Sequence, residues 1–137
     1  MAQFNIALAG ESESLELEPA RVRAGVEALL RDPAKGTYFV AVSGDKVVGQ
    51  LLITHEWSDW RNGDFWWLQS VYVRPDFRRC GVFKALFDFV QAKAAGAPDV
   101  CGLRLYMEDG NSRAREAYRR MGMTETHYHV FERVFPR

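Results

Sequence analysis

The sequence predicts an α+β fold: a mostly antiparallel mixed sheet with one parallel, splayed strand pair, flanked by helices, in a single domain over residues 1–137. Three observations lead there. Two β-favouring runs, residues 37–42 and 46–54, flank Ser43-Gly44-Asp45, which reads as a hairpin turn. A third run, residues 64–73, is followed by a short basic loop, a helical run and another apolar stretch at residues 101–107. That order is a strand–helix–strand crossover, which makes its two strands parallel.

In chain order, residues 1–10 predict a short helix whose apolar members, Phe4, Ile6, Ala7 and Leu8, are loosely periodic. Residues 18–31 predict a firmer helix, with Val22, Val26, Leu29 and Leu30 on one stripe and Asp32-Pro33 as the stop. The hairpin follows, then a turn over residues 59–63 and the third strand. Ala94-Ala95-Gly96-Ala97-Pro98 closes the crossover helix. Asn111 is a good N-cap for a helix running to about residue 121, which Gly122 ends in a left-handed conformation. Residues 124–134 predict a final strand or pair of strands.

A chain of 137 residues buries a core without staples. Lys plus Arg and Asp plus Glu both number 18, so neither nucleic acid nor a membrane surface is an expected partner. No apolar run approaches the ~18 residues of a membrane span. The start, Met1-Ala2-Gln3-Phe4, has no basic segment leading into an apolar one. Cys80 and Cys101 form neither a disulfide framework nor a zinc pattern, and the three histidines show no ligand spacing, so no metal is expected and a reducing cytoplasm is.

The loop Arg78-Arg79-Cys80-Gly81-Val82-Phe83-Lys84 carries the strongest chemical signal. Amide groups at a helix start lack intrahelical partners, the helix dipole adds positive charge, and arginines supply charge-assisted donors. A phosphate or pyrophosphate is the ligand such a loop suits. Gly81 stands alone, so neither the dinucleotide-binding Gly-x-Gly-x-x-Gly nor the nucleoside-triphosphatase loop is present. Cys80 reads as incidental.

Arg78-x-x-Gly81-x-Phe83 resembles the Gln/Arg-x-x-Gly-x-Gly/Ala signature of the GNAT family of N-acetyltransferases, and Asn111-x-x-Ala114-x-x-x-Tyr118-x-x-x-Gly122-Met123 resembles that family's second block. The two occur in the family's order, and the resemblance covers residues 38–137. It implies a GNAT-like fold whose usual first strand is missing ahead of residue 1, and an exposed sheet edge there makes a homodimer an expected partner arrangement. It also implies acetyl-CoA as acyl donor. The backbone of Val71, Tyr72 and Val73 would pair with the pantetheine arm, and residues Arg78, Arg79, Cys80, Gly81, Val82, Phe83 and Lys84 would hold the pyrophosphate. Asn111, Ala114 and Tyr118 would lie along the cofactor arm. Phe83 departs from the signature and must point towards the helix packing face, or it blocks the site.

The implied reaction is transfer of an acetyl group to a primary amine, on a small molecule or a peptide, by direct attack. Such a reaction needs a neutral amine, a donor for the tetrahedral oxyanion and a proton for the leaving thiolate. The resemblance gives the last role to Tyr118, as general acid, and a strand N–H near Val71 suits the oxyanion. Gln69 occupies the strand position where many family members carry a glutamate. Glu56 is the candidate general base in its place, with Asp59 and Asp64 behind it; strand alternation puts His55 and Glu56 on opposite faces. All four tryptophans fall between residues 57 and 67, either as cross-strand hairpin packing or as an acceptor wall in which Trp57, Trp60 and Asp59 meet a cationic amine. An aromatic run can also stack unpaired bases, but Arg61 is the one cation within it. The alternative function is a catalytically weak acyl-CoA-binding regulatory module, to which Gln69 and Phe83 point.

Overall fold

Alternation along three β-favouring runs, each closed by a tight turn, builds an antiparallel meander, and a crossover helix adds a parallel fourth strand. The computed structural model describes residues 1–136 and divides the chain into two units, residues 1–105 and the part from Tyr106 onwards.

In the first unit, helix α1 (Ala2–Ser12) and helix α2 (Pro19–Arg31) precede a sheet of β1 (Thr37–Ser43), β2 (Lys46–Ser58), β3 (Gly63–Val73) and β4 (Val100–Arg104), ordered β1-β2-β3-β4. The β1–β2 and β2–β3 pairs are antiparallel and β3–β4 is parallel. Glu18 starts α2 by accepting from the amides of Ala20 and Arg21, with Pro19 in the first turn, where its missing N–H costs nothing. Strand β2 runs four residues beyond the expected end, through Ser58, because His55, Glu56 and Trp57 continue the ladder opposite Trp66, Phe65 and Asp64.

The faces follow the period of two. Phe39 meets Phe89 of α3 (Val82–Gly96), while its neighbour Tyr38 bonds to Asn5 of α1, so α3 covers one face and α1 and α2 the other. Leu86, Phe87, Val90 and Ala94 form the buried stripe of α3, and Val48, Leu51 and Ile53 lie in the core with them. The start of α3 approaches β2 closely at Gly49, where an added Cβ would stand 2.9 Å from Val82 Cγ1.

In the second unit, Asn111 Oδ1 accepts from the Ala114 amide at 3.0 Å and starts α4 (Ser112–Arg120). Gly122, at φ 84°, ends it, and the Met123 amide bonds back to the Tyr118 carbonyl. Arg115 and Arg119 both pair with Glu125. The expected strand over residues 124–134 does not form. A strand exists only against a ladder partner, and none of the described residues pairs with this segment. It leaves Tyr128, Val130, Phe131, Val134 and Phe135 exposed, Phe131 at 96%.

Candidate active site

Strand β3 carries the geometry of the site. It pairs with β4 only from Asp64 to Trp67, whose partners run from Val100 to Arg104, so among the described residues no strand pairs with residues 68–73 of β3 on that side. Within the free stretch, Leu51 of β2 opposes both Ser70 and Val71, because the register jumps from Gln50↔Tyr72 to Leu52↔Gln69. Two residues against one is a β-bulge, and Ser70 takes a left-handed φ of 48° to make it. Val71 and Val73 therefore lie on a strand with one open backbone edge.

The same strand leads into the basic loop. After a short 3₁₀ turn at Pro75–Phe77, Arg79 adopts φ 63° and Gly81 φ 78°, and Gly81 is the N-cap of α3. No side chain caps this helix. Its first internal bond is from Ala85 to the Gly81 carbonyl, at 3.0 Å, so the amides of Val82, Phe83 and Lys84 have no intrahelical acceptor. Phe83 packs along its own helix, its ring centroid 6.2 Å from that of the buried Phe87.

The two arginines differ. Arg78 Nη2 donates to Glu11 of α1 at 2.6 Å and its Nε to the Val73 carbonyl at 2.9 Å, with the guanidinium 5.3 Å from the Tyr72 ring. The Tyr72 hydroxyl donates to the other Glu11 oxygen at 2.9 Å, and the Phe4 ring packs tilted against the Tyr72 ring, centroids 5.0 Å apart. Arg78 thus ties the loop to α1. The bond from Arg78, then that from Tyr72, holds the Glu11 carboxyl below its ordinary range. Burial, then Glu11, raises the Tyr72 phenol. Arg79 is exposed and has no partner among the described residues, so it is the loop's available guanidinium. Lys84 pairs with Asp88 one turn along α3, and Cys80 is an exposed free thiol.

Glu56 lies on the α1/α2 face and is heavily bonded. Arg104 Nη1 donates to both its oxygens, at 3.1 and 3.2 Å, and Trp67 Nε1 donates to Oε2. The Arg104 guanidinium also stacks on Phe65 at 3.7 Å. Gln69 donates to Thr54 Oγ1 beside this cluster. His55 packs against Trp66 on the opposite face, as alternation requires. Trp57 and Trp60 are exposed, Trp60 at 85%, and with Asp59 they occupy the β2–β3 tip. At about 3.3 Å per residue, that tip stands roughly 23 Å along β3 from the Ser70 bulge. On α4, Asn111 is the cap, Ala114 and Tyr118 are half-buried, and burial pushes the Tyr118 phenol above its ordinary value.

Sequence reasoning missed Asn5, Glu11, Tyr38 and Gln50. Gln50 has no exposed surface; its Nε2 donates to Asn5 Oδ1 at 2.6 Å and to the Ser70 carbonyl at 3.0 Å, while its Oε1 has no partner. A buried orphan acceptor costs about 1–3 kcal/mol. The available signal was one glutamine inside the apolar run Val47-Val48-Gly49-Gln50-Leu51-Leu52-Ile53. Among the described residues no group of three or more potential metal ligands comes together, and no helix is long and apolar enough to cross a membrane.

The site is thus a parallel strand pair that parts beside a helix N-terminus with no side-chain cap. The model of the acetyltransferase (GNAT) family matches residues 4–123, and the chain belongs to that family. It is similar to the crystal structure of a "possible acetyltransferase" from Clostridium difficile 630, with 43% identity, TM-score 0.92, and coverage of 99% of this chain and 90% of that one. A ribosomal-protein-alanine N-acetyltransferase from Brucella melitensis biovar Abortus 2308 shares the fold at 19% identity and TM-score 0.73, covering 98% of this chain and 93% of that one. So does AAC(6')-Iy, in complex with the bisubstrate analogue CoA-S-monomethyl-acetylneamine, at 19% identity and TM-score 0.72, covering 98% and 92%. No curated protein sequence matches the chain.

Proposed function

We propose that this acyltransferase moves the acetyl group of acetyl-CoA to a primary amine by direct attack, with no acyl-enzyme. The observation that carries the reading is the open edge of β3 beyond Trp67, leading into the uncapped start of α3. The backbone of Val71, Tyr72 and Val73 pairs with the pantetheine amides, as an added strand would. The amides of residues 80–84, with the Arg79 guanidinium, hold the pyrophosphate, and Asn111 and Ala114 border the cofactor arm. Arg78 acts on the ligand indirectly, by fixing the loop through Glu11. The two units work as one catalytic domain.

In the reaction, the amine nitrogen bonds to the thioester carbonyl carbon, and the oxyanion accepts from a bulge amide near Val71. The C–S bond then breaks and the thiolate takes the phenolic proton of Tyr118. A phenol raised by burial stays protonated throughout the neutral range, as an acid must before its turn. Glu56 stands five residues along β2 from the bulge, roughly 16 Å, so it takes the ammonium proton through a chain of waters; its three bonds from Arg104 and Trp67 leave one carboxylate lone-pair site for that chain. A cytoplasmic location and an amine on a small molecule or a peptide belong to the same reading. So does a homodimer, which the exposed apolar side chains of residues 128–135 support.

Calorimetric titration of acetyl-CoA and free CoA tests the proposal. Saturable binding to the wild type, lost in Arg79→Glu, is the expected result; no binding to a folded protein refutes it. Tyr118→Phe should then lower kcat by roughly 10²-fold or more with the acetyl-CoA Kd unchanged, and an unchanged kcat removes Tyr118 from the mechanism.

A further inference from the structure

A cleft of about 390 Å³ opens between α1, α2 and the sheet, and reaches the β3 bulge at Ser70. Its walls are largely aliphatic: Leu8 of α1, Val22, Val26 and Leu29 of α2, and Leu52 of β2 all line it. Glu13 is the one charged residue among the described residues that line it, and it is an anion. Asn5, Tyr38 and Ser70 supply the neutral polar groups. An apolar pocket with a few placed polar groups is the usual form of a small-molecule site.

The polar groups are joined in one direction. The Ser70 carbonyl can only accept, so Gln50 must present Nε2 to it, and the same nitrogen donates to Asn5 Oδ1. Asn5 then presents Nδ2 to the Tyr38 oxygen, at 3.0 Å. Tyr38 accepts from this relay, which leaves its own O–H as a donor at the cleft wall. An aliphatic residue in place of Gln50 would avoid burying an unpartnered Oε1. What the glutamine provides is the polarity of the relay and its link from bulge to cleft.

We propose that this cleft binds the acyl acceptor, and that the acceptor is a monoamine with an apolar body and one neutral hydrogen-bond-accepting oxygen. The amide of a hydrophobic amino acid is the simplest such compound. The aliphatic walls take its side chain, Glu13 favours its ammonium, and the Tyr38 hydroxyl donates to its carbonyl. A carboxylate in place of the amide is opposed by Glu13, and a polycation meets a single carboxylate among leucines and valines. The inference rests on the acetyltransferase reading and names the substrate class for it.

The test is direct binding to the purified full chain, with leucinamide, 3-methylbutylamine (the same body without the carbonyl) and spermidine as probes. Leucinamide should saturate and spermidine should bind more weakly. Gly25→Leu adds a side chain where a Cβ meets nothing within 4 Å, on a residue lining the cleft. It should abolish leucinamide binding with thermal stability kept, and Val22→Lys, which sets a cation against the ammonium, should do the same. Tyr38→Phe should weaken leucinamide by about tenfold and leave 3-methylbutylamine unchanged, a difference that a merely structural role would not produce. Loss of both amines together in Tyr38→Phe overturns its donor role. Absent leucinamide binding, tighter spermidine, or unimpaired leucinamide binding in both Gly25→Leu and Val22→Lys overturns the inference. Acetyl-CoA binding in the same samples separates its failure from that of the acetyltransferase reading.

Discussion

Gly49→Ala probes the contact that sets the start of α3 against the sheet. The new Cβ would lie 2.9 Å from Val82 Cγ1, about 0.5 Å inside the 3.4 Å at which ordinary contact begins, and 3.4 Å from both Leu86 Cδ1 and the Tyr72 carbonyl oxygen. Val82 is β-branched and the first residue of the helix, so it has one preferred χ1 and relieves the clash chiefly by moving the helix start. Overpacking of this kind costs about 1–3 kcal/mol, while replacing a strand glycine returns about 0.4–1 kcal/mol through the unfolded state. A net loss of roughly 1–2 kcal/mol follows, or a fall in Tm of roughly 3–10 °C for a chain of this length. Because the amides of Val82, Phe83 and Lys84 move with the helix, acetyl-CoA affinity should fall as well, by roughly 3–10-fold if one hydrogen bond is misaligned. Thermal unfolding and calorimetry read the two effects. Val82→Ala in the Gly49→Ala background should restore part of both, giving a favourable coupling between the two sites. An unchanged Tm and Kd in Gly49→Ala would refute the claim that this contact positions the start of α3 and the basic loop before it.

Three further outcomes follow from bonds already described. Glu11 has a lowered pKa, so its bonds to Arg78 and Tyr72 stabilise the fold fully above the ordinary value of 4.5 and lose that contribution as pH falls through the folded value; Glu11→Gln should lower Tm by only a few degrees at neutral pH, as an exposed pair worth about 0.2–1 kcal/mol requires, and should flatten the acid limb of stability against pH. Tyr118 has a raised pKa, so the folded state holds that proton more tightly; its contribution is complete below 10.0 and declines as pH rises beyond it, and Tyr118→Phe should make the alkaline decline shallower, the remainder coming from Tyr72, whose phenol is also raised. Glu56→Gln keeps an acceptor for Arg104 and Trp67 but cannot take a proton, so kcat should drop with the acetyl-CoA Kd unchanged; an unaltered pH–rate profile would leave Glu56 a purely structural partner of Arg104.

The parts legible in the sequence are those in which a residue acts on its chain neighbours. Asn111 caps α4 and Gly122 ends it as their types dictate, and the expected hairpin turn forms as Gly44-Asp45, one residue shorter because Ser43 pairs with Lys46. Gly81 opens α3 and Phe83 turns along it, because backbone dihedrals and helical spacing are local. The end of β2 was hidden, since His55-Glu56-Trp57 looks polar until cross-strand partners at Trp66, Phe65 and Asp64 are known. The C-terminal run has strand composition, yet a strand is a property of two segments, and composition names only one of them.

The difference between Arg78 and Arg79 shows where such reasoning stops. The signature sets Arg78 apart from Arg79 by position, but two adjacent, identical side chains do not show which is tied up and which is available; that comes from Glu11, 67 residues before Arg78, which takes one guanidinium and leaves the other. The same holds for the relay from Gln50 to Asn5, a separation of 45 residues. Both links run through α1, the helix with the weakest apolar periodicity, so the element that looks least structured in the sequence is the one that ties the basic loop before α3 and the cleft beside Ser70 to the sheet. If α1 does this, Glu11→Gln should weaken acetyl-CoA binding without touching Arg79. Arg79→Glu should weaken it without moving Tm. The two variants then separate a loop held in the right shape from a loop carrying the right charge, which a single affinity measurement on either one cannot do.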